Sequence, residues 1–213
     1  MPMKRLTNFS FRPSLENHVR SNLSDFNDLR QSSEGKKQAA VAITICEFEG
    51  ESSVVVTRRS SKLKEHSGQW ALPGGRLDNN ESLIDAAVRE LEEEVNICVS
   101  DDAVLGTLDD YVTRSGYVIT PVVILANAKQ NDVVGNPSEV ASVHFFSFSE
   151  LVRKDSPNLE NIPQSDRQVL SMNYLDDRIY APTAAMLYQF REVAILGRDT
   201  RVLDFDQPLF AWR

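Results

Sequence analysis

The sequence has few of the features that mark disulfide-stabilised or membrane-spanning proteins. Only two of its 213 residues are cysteines, Cys46 and Cys98, and their spacing is unlike that of a metal site. Both lie in apolar, strand-like segments, so we expect buried free thiols and a reducing compartment. The longest stretch without a charged residue, 115–128, is too short to cross a bilayer.

Cations are also scarce relative to carboxylates. Lys and Arg number 23 against 31 Asp and Glu, which gives a net charge of −8. Such a chain does not attract the nucleic-acid backbone through its overall field. The first residues carry two cations but lack the apolar segment of a signal peptide, so we expect a cytoplasmic protein that binds neither membrane nor nucleic acid.

Alternating and helical patterns predict an α+β fold, with a mixed β-sheet sandwiched between α-helices (α/β/α). Residues 38–50 and 52–59 predict a hairpin that turns at Gly50. Further strands are predicted within 98–113, 117–129 and 140–148, helices at 81–95 and 181–196, and a loop at 155–166. Pro121 inside a predicted strand indicates a bulge or an edge position.

The chain divides into three predicted parts. Residues 1–37 form a helical extension and linker, 38–198 the main domain, and 199–213 a tail packed on or near that domain. The extension is predicted to be helical because apolar residues recur at helical spacing, at Leu15, Val19, Leu23, Phe26 and Leu29.

Four glutamates stand almost side by side in the predicted helix 81–95. At 100° per residue, Glu93 and Glu94 lie at about −60° and +40° from Glu90, whereas Glu92 lies on the opposite face. The core face of the same helix is predicted to contain Ile84, Ala87, Val88, Leu91 and Val95. Three carboxylates on one stripe suit hard divalent cations, and the alternative is a solvated acidic face.

The segment before this helix distinguishes the two alternatives. Gly74 and Gly75 follow an apolar run, and glycines let the backbone approach a ligand closely. The combined pattern runs through eight positions at fixed spacing: Gly75, Glu81, Arg89, Glu90, Leu91, Glu93, Glu94 and Ile97. It resembles the Nudix box, the signature of hydrolases that cleave nucleoside diphosphates linked to another moiety.

The resemblance implies a role for each of these residues. Two or three Mg²⁺ or Mn²⁺ ions are expected on Glu90, Glu93, Glu94 and the Gly74 carbonyl. Arg89 is expected to hold Glu81 and to orient a ligand carboxylate. Either Glu90 or Glu139 takes the proton of the attacking water, and the sequence leaves this choice open. Residue 96 is Asn where the box has Gly, and Asn is the second choice for a left-handed helix cap.

Residues 55–75 are similar to the signature of the coenzyme A diphosphatase branch. The matching positions are Thr57, Arg59, Ser60, Gly68, Pro73, Gly74 and Gly75. Val55, Val56, Lys64 and Leu72 replace the usual residues, and the spacing from the glycines to Arg89 follows the general Nudix pattern. This branch cleaves coenzyme A to 3′,5′-ADP and 4′-phosphopantetheine.

A basic patch precedes the glycines. Arg58, Arg59, Lys62 and Lys64 form the densest cationic stretch of the chain, so Arg58, Arg59 and Lys64, together with Gly75, are candidate substrate-binding residues. The alternative is a solvated loop that balances the acidic helix. His66 is expected to hydrogen-bond its own turn.

Two other functions stay open. One is hydrolysis of a different nucleotide, such as ADP-ribose, a dinucleotide or a nucleoside triphosphate. The other is a non-catalytic Nudix domain that senses a nucleotide. In each case the partner is a small-molecule nucleotide, and both a monomer and a homodimer are compatible with the sequence.

Overall fold

The computed structural model describes residues 3–6, 8–63, 66–128 and 130–212, without the side chain of Asn131. The helices are α1 Pro13–Asp25, α2 Leu83–Val95, α3 Phe148–Leu151 and α4 Thr183–Phe190. The strands are β1 Lys37–Phe48, β2 Glu51–Arg59, β3 Trp70–Ala71, β4 Gly74–Arg76, β5 Val104–Thr107, β6 Tyr111–Val112, β7 Tyr117–Leu125, β8 Val140–Ser147, β9 Asn158–Ile162, β10 Ser165–Tyr174 and β11 Asp177–Tyr180. Among these residues no helix combines the length and apolarity needed to cross a bilayer.

The main sheet is mixed, as the sequence predicts. β1 pairs in parallel with β7 and antiparallel with β2 and β4, and the order along the sheet is β3-β2-β1-β7-β5. The predicted hairpin of β1 and β2 is confirmed. β8 pairs with β2, and β6 pairs with β7.

The two faces of β1 show why helices cover both sides of the sheet. Ala40 and Ala42 point to one side, where they pack with Ala86 and Ala87 of α2. Ile43 and Ile45 alternate with them and enter a larger core on the other side. Small side chains on one face let α2 approach the sheet closely, which places the acidic helix next to β4.

The larger core joins distant parts of the chain. Its members from the N-terminal helix and the residue after it are Leu15, Val19, Leu23 and Phe26, and α4 contributes Leu187 and Phe190. α4 continues into a π-helical turn, Arg191–Ile195, so the predicted helix 181–196 contains two kinds of helix. The N-terminal helix thus packs into the same core as the sheet, and the predicted division at residues 37 and 198 stays a prediction.

Three sequence predictions are wrong in detail. Residues 155–166 were expected to be a loop, but they contain β9, which forms a second sheet with β10 and β11. Pro121 was expected at a bulge or an edge, and the edge alternative is wrong: β7 pairs with β6 up to Ile119 and with β5 from Val122, and Pro121 lies at the irregularity where the partner changes. Its missing N–H therefore falls in a gap of the antiparallel ladder.

The third error is Cys98, which is exposed. The chain leaves α2 through Asn96, and Ile97 rather than Cys98 enters the core. Cys46 is buried as expected, and this burial raises the pKa of its thiol to about 12.

The contribution of the N-terminal helical segment to the shared core can be tested by mutation. Phe26→Ala is expected to lower the free energy of unfolding by about 3–5 kcal/mol, because Phe26 is buried and its removal leaves a cavity. Leu29→Ala, three residues further and exposed, is the control and should change the free energy by less than about 0.5 kcal/mol. Urea unfolding measures both, and equal small effects would show that this segment is dispensable for the core.

Candidate active site

The acidic helix α2 begins and ends with specific caps. Ser82 Oγ accepts a hydrogen bond from the Asp85 N–H at 3.1 Å, while the Asp85 carboxylate accepts one from the Ser82 backbone N–H at 3.3 Å. This capping box starts the helix at Leu83, two residues later than predicted. At the other end Asn96 has φ 59° and ψ 33°, the left-handed conformation that the sequence predicts.

The carboxylates of α2 differ in exposure more than a helical wheel indicates. Glu94 is only 3% exposed, whereas the Glu93 side chain is 57% exposed. Glu92 is exposed on the opposite face, as expected. Ile84, predicted in the core, is exposed as well. A helical wheel predicts the direction in which each side chain points from the helix axis. It does not predict how far along that axis the sheet extends to cover the side chains.

The two glycines of β4 each lie too close to a neighbouring element to carry a side chain, Gly75 to α2 and Gly74 to β1. A Cβ added to Gly75 would lie 2.1 Å from Glu90 Oε1. A Cβ on Gly74 would meet the Ala40 carbonyl oxygen at 2.4 Å, and the Gly74 backbone is close enough to the Glu94 carboxylate to favour its charged form. A side chain at Gly75 would displace Glu90, and one at Gly74 would push β4 away from β1, so the structure brings Gly74, Gly75, Glu90 and Glu94 together.

Arg89 is the cation around which three of these carboxylates are arranged. Its Nε and Nη2 donate to the two oxygens of Glu81, at 2.9 and 3.1 Å, in a forked pair. Its Nη1 donates to Glu90 Oε1 at 2.8 Å and to Glu93 Oε2 at 3.0 Å. These bonds raise the pKa of Arg89, and the bond from Arg89 lowers the pKa of Glu81.

Burial opposes ionisation of the inner carboxylates. It raises the pKa of Glu94 to about 8, although the positive charge of Arg59 acts in the opposite direction. It also raises the pKa of Glu90, against the hydrogen bond from Arg89. Glu139 lies near enough for its charge to add to both effects, so the structure brings this loop acid to the helix.

This donor set fits divalent cations. The carboxylates of Glu81, Glu90, Glu93, Glu94 and Glu139 outnumber the two guanidinium groups beside them, those of Arg89 and Arg59. The site therefore has an excess of negative charge on carboxylate oxygens, some of which are buried. Mg²⁺ and Mn²⁺ prefer oxygen ligands and neutralise such charge. Within the described residues no three His, Cys, Asp or Glu side chains already converge on one point, because Glu90 and Glu93 turn to Arg89.

A cleft of about 470 Å³ opens beside Gly74 and Gly75. Arg59 lines it, with Nη1 4.0 Å from Glu94 Oε1. The Arg59 Nε is buried and has no acceptor among the residues that the structure describes. This guanidinium therefore keeps hydrogen-bonding capacity at the place where the cleft meets the acidic helix.

The other residues of the basic patch have different surroundings. Arg58 forms an ion pair with Asp177, lies 4.4 Å above the Trp70 ring and donates to the Gly68 carbonyl at 2.6 Å. Lys64 lies outside the described residues. His66 hydrogen-bonds Gln69 in its own turn at 3.2 Å, as expected.

Comparisons with known proteins identify the family. The family model of the NUDIX domain matches residues 36–171. The chain belongs to the Nudix family. It is 33% identical over 163 residues to an uncharacterized Nudix hydrolase, NudL, of Photorhabdus laumondii, across 75% of this chain and 86% of that protein. For the NudL of Pectobacterium atrosepticum the identity is 36% over 158 residues, across 72% and 81%.

Solved structures are more distant. A MutT/nudix family protein from Enterococcus faecalis is 21% identical with a TM-score of 0.45, across 81% of this chain and 64% of that chain. The family match makes this chain a Nudix hydrolase, an enzyme that acts on phosphoric anhydride bonds. The individual roles predicted for the Nudix box residues stay predictions.

Sequence reasoning missed most of the cleft wall opposite the acidic helix. Asp177 and Tyr180 come from the second sheet, and Gln207 and Phe210 from the C-terminal tail. Arg76, directly after the glycines, was also overlooked, although its position beside Gly75 was a usable signal. For the tail the sequence offers no signal, since nothing local links it to the glycine strand.

The raised pKa of Glu94 predicts a pH effect on the metal-free fold. The native state keeps a proton on Glu94 up to about pH 8, whereas the unfolded state releases it near pH 4.5, the ordinary value. Stability of the wild type should therefore fall as pH rises through this window. Glu94→Gln removes the ionisation, so its stability should exceed that of the wild type at pH 7.5 more than at pH 4.5.

Urea unfolding in the presence of a chelator measures this difference. Glu92→Gln is the matched control, because Glu92 is exposed on the same helix and its replacement should follow the wild-type pH profile. A Glu94→Gln variant that loses stability equally at both pH values would show that Glu94 is charged and well compensated in the metal-free protein.

Proposed function

We propose that this Nudix hydrolase cleaves the diphosphate of coenzyme A or its derivatives to 3′,5′-ADP and 4′-phosphopantetheine. The observation that carries the proposal is the position of segment 55–75. Arg59, Gly68, Gly74 and Gly75, which belong to the pattern that resembles the coenzyme A diphosphatase signature, line the cleft beside the acidic helix, and so does Arg58. A volume of about 470 Å³ is within the range of sites for extended small molecules.

The proposed metal ligands are the carboxylates of Glu90, Glu93 and Glu94 and the carbonyl of Gly74. Mg²⁺ or Mn²⁺ bound there supplies charge neutralisation on the diphosphate oxygens and lowers the pKa of a water. Arg89 then holds Glu81, Glu90 and Glu93 in place, as it does in this structure. It acts on the carboxylates and makes no contact with substrate in this proposal.

Proton transfer is assigned to Glu139, with Glu90 as the alternative. A carboxylate that holds a cation is a weak base, because the cation favours its charged form. Glu90 is a proposed metal ligand, whereas Glu139 approaches the same group from a loop. This argument favours Glu139 for taking the proton of the attacking water.

The two arginines of the basic patch receive different roles. Arg59 is 4.0 Å from Glu94 and has a buried Nε without an acceptor among the described residues, so it is suited to grip the diphosphate. Arg58 is neutralised by Asp177 and is suited to shape the wall. In this assignment the basic patch does not bind the 3′-phosphate of coenzyme A.

Arg76 and Lys37 are better placed for that phosphate. Both cations lie against the ring of Tyr117, at 5.3 and 5.6 Å from its centroid, and Arg76 also hydrogen-bonds its hydroxyl. Over the described ranges, no carboxylate lies within 4.0 Å of either cation. Two neighbouring cations that share a ring and lack a carboxylate suit a phosphate monoester.

A reducing compartment, a cytoplasmic location and a nucleotide as the partner complete the proposal. The buried free thiol of Cys46 supports such a compartment. A homodimer is proposed as the alternative to a monomer, and size-exclusion chromatography with light scattering separates the two.

The activity itself is tested with a substrate panel. Coenzyme A, dephospho-coenzyme A, ADP-ribose, a dinucleotide and a nucleoside triphosphate are each incubated with Mg²⁺ and with Mn²⁺, and products are separated by chromatography. Release of 3′,5′-ADP and 4′-phosphopantetheine is the expected result. Brisk cleavage of ADP-ribose without any cleavage of coenzyme A would leave only the family assignment, and thermal stabilisation by coenzyme A without turnover would indicate a sensing domain.

Replacing one proposed metal ligand should stop turnover and leave the fold intact. Glu93→Gln is expected to lower kcat by roughly a hundredfold or more, because it removes charge stabilisation of several kcal/mol from the transition state. Glu92→Gln, adjacent in sequence but on the opposite face, should stay within about twofold of wild type. Comparable losses in the two variants would contradict the assignment of Glu93.

The phosphate assignments are separated by comparing coenzyme A with dephospho-coenzyme A. Arg76→Ala should lower kcat/KM for coenzyme A roughly tenfold to a hundredfold more than for the dephospho form, because one charge-assisted contact is lost only with the first. Arg59→Ala should lower both alike. Arg178→Ala is the control, since Arg178 also lines the cleft but is paired with Glu160. Equal effects of Arg76→Ala on the two substrates would contradict the proposal that Arg76 binds the 3′-phosphate.

A further inference from the structure

The C-terminal tail is fastened to the domain by buried polar contacts. Asp206 is buried, forms an ion pair with Arg114 and accepts a hydrogen bond from the Ser165 hydroxyl at 2.6 Å. Gln207 is also buried, and its side chain accepts a hydrogen bond from the Arg114 N–H at 2.8 Å. These contacts fix the tail between β10 and the turn before β7.

A second set of contacts holds the tail after this point. Trp212 Nε1 donates to the Gln207 carbonyl at 2.7 Å, and the Arg114 guanidinium lies 4.7 Å from the Trp212 ring centroid. Ala211 is buried. The short turn Leu209–Ala211 is therefore held on both sides, and its conformation is determined by the anchors rather than by its own side chains.

Phe210 lies in this anchored turn, yet it is 55% exposed. Its ring lines the cleft and meets the ring of Tyr180 edge to face, at 5.5 Å between centroids and 89° between planes. Keeping a large aromatic side chain in water forgoes the free energy of burial. Because the fixed turn places the ring in the cleft, a ligand is the natural group to cover it.

We propose that Tyr180 and Phe210 bind the planar base of the nucleotide substrate, an inference that rests on the proposed function and extends it to a part of the chain outside the Nudix box. Aromatic side chains bind bases by stacking, which every base permits. The polar residues Gln207, Thr113 and Ser115 line the same cleft. Hydrogen-bonding groups beside the rings suit a heteroaromatic base with a polar edge better than an alkyl chain.

The position of the proposed phosphate site agrees with this assignment. Ser115 lies in the turn before β7, and Tyr117 is the first residue of β7. Arg76 and Lys37 both lie against the Tyr117 ring. Arg114, which anchors the tail, precedes Ser115 in the same turn. One short segment of chain thus links the tail to the two cations, which is compatible with a nucleoside whose base and phosphate are held side by side.

The experiment measures binding rather than turnover, so that it separates this inference from the proposed activity. Calorimetric titration with adenosine 5′-monophosphate and, separately, with 4′-phosphopantetheine is carried out on the metal-free wild type, Phe210→Ala and Leu209→Ala. Leu209 is the matched control, because it is a neighbouring residue of the same turn, is 45% exposed and is not part of the cleft wall.

Phe210→Ala is expected to weaken the binding of adenosine 5′-monophosphate roughly fivefold to a hundredfold and to leave the binding of 4′-phosphopantetheine unchanged. Leu209→Ala should bind both ligands as the wild type does, and Phe210→Trp should restore the affinity for the nucleotide. Thermal melting of each variant checks that the fold is retained.

The inference is overturned if Phe210→Ala binds adenosine 5′-monophosphate as tightly as Leu209→Ala, if it loses both ligands equally, or if the wild type does not bind the nucleotide. A wild type that binds adenosine 5′-monophosphate through Phe210 but does not cleave coenzyme A supports the base site and contradicts the proposed activity. Cleavage of coenzyme A with an unchanged KM in Phe210→Ala contradicts the base site alone.

Discussion

Helix α2 packs against β4 at a distance that leaves no room for a side chain at Gly75, and the site depends on this contact. Glu90 occupies the space that a Cβ on Gly75 would take, and the Glu94 carboxylate lies beside the backbone of Gly74. Small side chains let α2 come this close to the sheet: Ala40 and Ala42 on β1 pack with Ala86 and Ala87 on α2. The carboxylates are thus positioned by close packing of small residues, which tolerates little displacement.

The same packing creates the electrostatic problem of the site. Carboxylates pressed against a strand lose water, and the raised pKa values of Glu90 and Glu94 express that loss. Arg89 offsets part of it by bonding Glu81, Glu90 and Glu93 together, so the cluster is ordered although it remains rich in negative charge. A fold with cores on both faces of its sheet can carry such a destabilising group.

Features that depend on neighbours in sequence could be predicted. The acidic stripe of α2, the left-handed Asn96 and the β1–β2 hairpin follow from spacing within a few residues. Features that depend on distant pairing could not. Arg58 meets Asp177 and Arg114 meets Asp206 across 119 and 92 residues, and no local pattern indicates either pair. The second sheet consists of neighbouring hairpins and was missed because exposed polar residues interrupt the apolar pattern of its strands. Exposed Ile84 and Cys98 show that periodicity predicts which way a side chain points but not whether it is covered.

The features that could be predicted and those that could not also have different roles in the cleft. Most of the groups proposed for chemistry lie between Gly74 and Glu94, a continuous segment whose geometry is set by one strand and one helix, and Arg59 and Glu139 join them from outside it. The groups that face the rest of a substrate come from β7, the second sheet and the tail, which reach the cleft only through long-range contacts. A Nudix box can therefore stay constant while the walls change, since altering Tyr180 or Phe210 leaves the helix–strand contact untouched. For that reason the box identifies the reaction, whereas the choice of nucleotide has to be inferred from the residues that the fold brings in from elsewhere.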